Sequence, residues 1–280
     1  MLNLVFEEEE KITLSSLTTP VYKLDAINEN MPNHIYHSID GVSSTQFDLM
    51  RKSMTAFELR EHFKKSCVAF DEGNLIHDAI LLPHLLDEMY LECPTKGSDT
   101  VAANKLKVDN PNKIIVGKGM IDTAKEMAFK VNLIYGDFIR SAYKEVSIFH
   151  QNEVTWLLHK CRPDIFNQQQ KIIIDVKSSS ANNHAEFLKT LEQYDYDLSA
   201  AWYIDTMRDA GFKVDVFAWL IVPKEVPHCP FGFYCTDELL EKGRSKYQDL
   251  LIKYADFKTE GIDELFKPAF SYAYRKENYI

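Results

Sequence analysis

The sequence predicts an α/β fold, with a mixed central sheet flanked by helices. Three observations point there. Hydrophobic residues make up 45% of the chain and aromatic residues 12%, enough to fill a core. The second half of the chain reads in the order helix, hairpin, strand, helix, strand, a pattern that lays helices on the faces of a sheet. The run Ile172-Ile173-Ile174-Asp175-Val176-Lys177 is rich in β-branched residues, which suit a half-buried pleated surface.

The elements follow in order. Residues 1–35 carry the acidic run Glu7 to Glu10 with Pro20 and Pro32, and read as an N-terminal arm with one short strand. Ser43 and Ser44 are placed to cap a helix from Thr45 to Met54. A second short helix covers Ala56 to Lys65. Glu72 to Leu82 is helical and Pro83 ends it. Pro94 to Gly119 is polar and rich in turn residues, hence a loop, leading into a helix from Met120 to Val131. Tyr143 to Phe149 and Val154 to Cys161 flank Gln151-Asn152 as a β-hairpin, and Lys171 to Lys177 is the next strand. Ala185 to Leu191 and Asp197 to Ala210 are helices. Lys213 to Val222 is an apolar buried strand stopped by Pro223, and Tyr234 marks a short strand after it. Thr236 caps an amphipathic helix reaching Tyr254, with Leu239, Leu240, Tyr247, Leu250 and Leu251 on its apolar side. No repeat or linker divides the chain. The expectation is one domain over residues 36–257, between the arm and a tail at 258–280.

Composition narrows the function. The five cysteines are scattered without a C-x-x-C pair, which suits the reducing cytoplasm and excludes a disulfide framework. No apolar run is long enough to span a bilayer, and the acidic start does not look like a signal peptide. A net charge of −10 works against binding to a polyanion. Local basic clusters nevertheless exist at Arg51-Lys52, at Arg60 with Lys64-Lys65, at Lys105 with Lys107 and at Lys113 with Lys118. Each is either a contact for a polyanion or a solvated face.

The chemistry centres on Asp175 and Lys177. Successive strand side chains alternate faces, so these two project to one side and Ile172, Ile174 and Val176 to the other. A carboxylate and an ammonium so placed can hold a divalent metal and a water at one phosphate; a solvated pair on an edge strand is the alternative. Asp164, in Arg162-Pro163-Asp164, is a second acid able to share the metal. Upstream lie Gly73-Asn74-Leu75-Ile76-His77 and Glu145-Val146-Ser147-Ile148-Phe149, and downstream a tyrosine-rich helix from Tyr194 to Tyr203.

This succession of His77, Glu145, Asp164, Asp175-x-Lys177 and Tyr203 resembles the RecE-like (exonuclease VIII) branch of the PD-(D/E)xK nucleases. The wider superfamily includes RecB-type nuclease domains and phage lambda exonuclease. Val42-Ser43-Ser44-Thr45-Gln46-Phe47 also looks like the opening of that branch, and the resemblance covers roughly residues 35 to 255. It implies a restriction-endonuclease-like core and a Mg²⁺-dependent exodeoxyribonuclease, with Mn²⁺ as substitute and two ions per site. The ions would be held by Asp164, Asp175, His77 and the Val176 carbonyl. Asp175 would bridge them, and Lys177 would orient the water or stabilise phosphate charge. Glu145 is a ligand, reaches the metal through water, or only lies on the hairpin face. Arg162 contacts phosphate or, by preference, pairs with a sheet carboxylate. Relatives carry a glutamine where Ser199 stands, and Tyr203 then approaches either the DNA or the lysine, or serves the core. The implied substrate is the end of linear double-stranded DNA, cut 5′ to 3′. The implied partners are further copies in a trimeric or tetrameric ring and a single-strand annealing recombinase, in the cytoplasm of a bacterium or a phage-infected cell. The alternatives are a nicking or structure-specific endonuclease and a non-catalytic DNA-binding relative.

Overall fold

The computed structural model describes residues 21–59 and 68–260. The acidic run at Glu7 to Glu10, the short strand expected in the arm, the basic Arg60, Lys64 and Lys65, and the tail beyond residue 260 lie outside the described residues.

Helix α1 (Asn33–Ser38) comes first, then a 3-10 turn (Ser44–Gln46), α2 (Phe47–Lys52) and α3 (Met54–Glu58). The expected Thr45–Met54 helix is therefore broken. Ser53 is extended, and its hydroxyl accepts from the Ala56 N–H to start a new helix. Helix α4 (Val68–Leu81) stops before Pro83 as expected, and α5 (Leu86–Met89) and β1 (Tyr90–Glu92) follow. The segment read as a loop contains α6 (Val101–Asp109), capped by Thr100, and β2 (Ile114–Val116), which pairs parallel with β1. Three apolar residues carry too little periodicity to announce a strand. Helix α7 (Met120–Arg140) runs well beyond Val131.

Next come β3 (Tyr143–Lys144), β4 (Ile148–Gln151), β5 (Leu158–Cys161), β6 (Ile165–Asn167) and β7 (Ile172–Ser179). The expected hairpin is β4 with β5, and Asn152 Oδ1 closes its turn by accepting from the Val154 and Thr155 N–H groups. Tyr143 and Lys144 leave that hairpin and pair with β6 instead. The chain then forms α8 (His184–Gln193), α9 (Tyr196–Asp209), β8 (Val216–Pro223), β9 (Phe231–Tyr234) and α10 (Asp237–Glu260).

Five strands make the central sheet in the order β3-β6-β7-β8-β9. β7 runs parallel to β8 and antiparallel to β6, so the sheet is mixed as predicted. A parallel pair needs a long crossover, which α8 and α9 supply. Ile173 of β7 and Phe217, Trp219 and Ile221 of β8 pack under α9 and α10 with Trp202 and Tyr247. Val176, Leu220 and Val222 pack on the other face with Leu75 and Ile80 of α4 and Val131 of α7. β7 is thus a central strand covered on both faces, which removes the solvated-edge alternative for Asp175 and Lys177.

Two interior positions give measurable expectations. Helices α9 and α10 touch closely at Gly243, where an added Cβ would sit 2.1 Å from the Asp197 carbonyl oxygen. Gly243→Ala should cost about 1–3 kcal/mol in urea unfolding despite the better helix propensity of alanine. His159 is 4% exposed and packs on the Trp202 ring at 4.6 Å. Burial holds its imidazole down at about 4, against an ordinary value of 6.5. The unfolded chain therefore takes up the proton first as pH falls. His159 should remove about 3 kcal/mol of stability between roughly pH 6.5 and 4. Unfolding curves of a His159→Leu variant should lack that part of the acid slope.

Candidate active site

The site lies where α4 crosses the sheet beside β7. The α4 residues Leu75, Ile76, Ala79 and Ile80 are buried, which fixes the helix and leaves His77 on its margin. Gly73 faces β7, where a Cβ would make ordinary contact with Ser178 Oγ at 3.8 Å. His77 Nε2 lies 3.1 Å from Asp164 Oδ1 and 3.3 Å from Glu145 Oε1. One ligand-type atom from each of these three residues falls within 4.8 Å of the others.

Each acid is held by its own local structure. Glu145 follows β3 with a left-handed φ of 52°, a conformation uncommon outside glycine. Its N–H donates to the Asp164 carbonyl at 3.1 Å, tying the two acids together through the backbone. Its Oε2 accepts from Arg162 Nε at 2.6 Å, and Arg162 also donates to the Met31 carbonyl. Arg162 is thus a structural partner of a carboxylate, the preferred of its two expected roles. Asp164 precedes β6, and its Oδ2 accepts from the Val176 N–H at 2.6 Å. Asp175 is 6% exposed and stands outside the three-residue cluster, with Lys177 Nζ 2.6 Å from its Oδ2. Of Val176, it is the amide that is seen to engage the site.

The charges explain one another. Burial pushes His77 down, but Asp164, Asp78 and Glu145 outweigh it, so the imidazole is held well above its ordinary value; a metal ion bound there would take the place of that proton. Burial pushes Asp164 up, yet His77, Lys177 and the Val176 amide bring it below the usual carboxylate value. Burial raises Glu145 despite His77 and Arg162. Burial lifts Asp175 to about 6 against the pull of Lys177. Lys177 itself is raised, because Asp175 and Asp164 more than offset its burial. The ammonium therefore stays charged.

On the tyrosine helix it is Tyr196 that meets the lysine. Lys177 Nζ lies 5.0 Å from the centre of the Tyr196 ring, a cation–π contact. Tyr194 stacks on Tyr196 with ring centres 5.8 Å apart. Tyr203, on the same helix, packs edge-on to Phe217 at 6.2 Å, and burial raises its hydroxyl pKa. Tyr196, two turns before Tyr203 on this helix, is thus the lysine's neighbour, a role that residue types and spacing do not assign. Of the basic clusters, Arg51 pairs with Asp195, Lys52 with Asp48 and Lys107 with Asp99, and Lys113 donates to the Asp87 carbonyl.

One imidazole nitrogen and two carboxylates converging from separate elements are a donor set that fits a divalent metal ion. His77→Ala should weaken Mn²⁺ binding in titration calorimetry by at least the ~10–100-fold that even an outer partner of a ligand is worth. Unfolding of the variant with unchanged metal affinity would make His77 a core histidine instead.

A mixed five-stranded sheet centred on an Asp-x-Lys strand, with a further acid entering it through the preceding hairpin, defines a PDDEXK-like protein. The chain belongs to the PDDEXK-like domain family of unknown function, DUF3799, whose match spans residues 43–263. The fold is also that of a candidate exonuclease from Eubacterium rectale. That crystal structure is 14% identical and superposes with a TM-score of 0.56 over 90% of this chain and all 100% of the other. A phage-related exonuclease from Haemophilus somnus is 15% identical, with a TM-score of 0.34 over 61% of this chain and 92% of the other. No curated protein matches the sequence. Among the described residues no helix is long and apolar enough to cross a membrane.

Proposed function

We propose that the chain is a Mg²⁺-dependent exodeoxyribonuclease of the RecE-like branch, acting on the ends of linear double-stranded DNA. The observation that carries this reading is the meeting of His77, Glu145 and Asp164 beside the Asp175–Lys177 pair on one central strand. In this reading Asp164, Asp175, His77 and the Val176 carbonyl hold two Mg²⁺ ions, with Mn²⁺ as substitute. Bound there, the ions would supply an activated water and neutralise charge on the phosphate. Lys177, kept cationic by Asp175 and Asp164, orients the water or stabilises the developing phosphate charge. Glu145, gripped by Arg162, sets the position of His77. Tyr203, whose hydroxyl feels the charges of Asp175 and Asp164, approaches the DNA or the lysine in this reading.

The finer parts of the reading are 5′-to-3′ polarity, a ring of three or four copies and an annealing recombinase as partner. The working unit is residues 36–257, with the arm and tail at either end, in the cytoplasm. End-labelled linear duplex, nicked circles and covalently closed circles, each with Mg²⁺, Mn²⁺ or chelator, test it. Degradation of the linear form alone, from its 5′ ends and only with metal, is expected. Cutting of closed circles would make the chain an endonuclease of the same fold, and binding without cutting a non-catalytic relative.

A further inference from the structure

We infer that two copies of this chain dock antiparallel through the outer face of α7, about a two-fold axis level with Val131. The inner face of this helix, with Met127, Val131 and Ile139, is spent in the core. The outer face exposes Phe129 at 65% and Leu133 at 75%, side by side one turn apart. Two large apolar side chains neighbouring on one helix face mark a contact surface rather than scattered exposure.

The charges around them name the occupant. With Glu126 beside Lys125 held by Lys130 at 2.6 Å, the exposed face along the helix reads Asp122, Lys125, Phe129, Leu133, Asp137 and Arg140. At 3.6 residues per turn these positions fall within roughly 60° of one line. Acid, base and apolar residue are followed by apolar residue, acid and base. A second copy turned end for end about Val131 therefore sets Phe129 against Leu133, Lys125 against Asp137 and Asp122 against Arg140. Every contact is made twice, as an isologous interface requires. Parallel docking would oppose like charges. Sliding by one turn would set Phe129 against Asp137, or Leu133 against Lys125. In the single chain Arg140 pairs with Asp137, and Lys125 with Asp87 at 3.7 Å. Both pairs are solvent-exposed, and such pairs are weak enough to exchange partners.

The inference does not depend on the nuclease chemistry, and either can fail without the other; on assembly it competes with a cyclic ring, whose contacts are heterologous. An isologous contact couples copies in twos, so it admits a dimer or a tetramer and rejects a trimer.

Light scattering on the full chain, eluted from a sizing column at several concentrations, tests it. The wild type should run as a dimer or tetramer. Asp137→Lys, at a fully exposed position, should halve that mass while circular dichroism stays unchanged, because Lys125 then faces a lysine. Adding Lys125→Asp should restore the wild-type mass, which only this register explains. Phe129→Glu should dissociate the copies without rescue by Lys125→Asp. A wild-type monomer, whether the face is bare or covered by another segment of the chain, overturns the inference. So does a trimer, or a charge-reversed double variant that stays dissociated.

Discussion

Asp164→Asn will leave the chain folded and its DNA hydrolysis lowered on the order of 10³-fold or more. Asp164 is where three parts of the site meet: His77 from α4, the Val176 amide from β7 and, through its own carbonyl, the Glu145 backbone. Asparagine keeps the shape and can still accept from Val176, so the strand pairing survives. The negative charge is lost, and with it the main partner that raises the His77 pKa and a ligand for the proposed metal. Turnover of end-labelled linear duplex and a thermal melt on the same sample separate the two effects. Near-normal turnover with an intact melt would remove Asp164 from the metal site.

The second large effect is expected at Lys177. Lys177→Met removes the ammonium from between Asp175 and the Tyr196 ring. Asp175 stands at about 6 even with the lysine beside it, and without it rises further and takes up a proton at neutral pH. One substitution thus silences both the cation and a carboxylate. A loss of about 10²–10³-fold in turnover is the least expected. Breaking a buried ion pair costs about 3–5 kcal/mol when the partner stays charged. Neutralisation of Asp175 should hold the observed loss below that range. The double variant Lys177→Met with Asp175→Asn should recover stability in urea unfolding and no activity. A single variant that hydrolyses DNA like the wild type would assign the lysine to structure alone.

The elements most legible in the sequence were those whose composition matches their burial. β8 is an unbroken apolar strand, and its eight residues contain no exposed position. α10 starts where Thr236 marks it, with the Leu239 N–H donating to the threonine hydroxyl. β7 was visible from its isoleucines, and its alternation placed Asp175 and Lys177 on one face. Less legible were elements defined by their partners. β3 and β6 are two and three residues long and exist because each pairs with a neighbouring strand. β2 is called into being by β1, and α6 leaves Val101 and Val108 exposed, so its apolar residues trace no single buried face. The site shows the same division. Residue types and order marked His77, Glu145 and Asp164, but nothing local says that Glu145 turns left-handed to meet them. Nor does spacing alone show that Tyr196, rather than Tyr203, stands at the lysine. Both facts belong to tertiary packing.

The place of β7 in the sheet also sets how the protein breathes. Its backbone is bonded along eight positions to β8 and on its other edge to β6. Amides in such a strand exchange with solvent only when the whole domain opens, whereas short elements such as β3 can open by themselves. The Asp175–Lys177 pair is thus anchored in the last unit to melt. Glu145, at the end of a two-residue strand, is attached to one of the first. Adjustment during a catalytic cycle should therefore fall on Glu145 and the His77 it contacts, with β7 as the fixed reference. Deuterium uptake should be slowest in peptides spanning β7 and β8, and faster by orders of magnitude in the segment that carries Glu145.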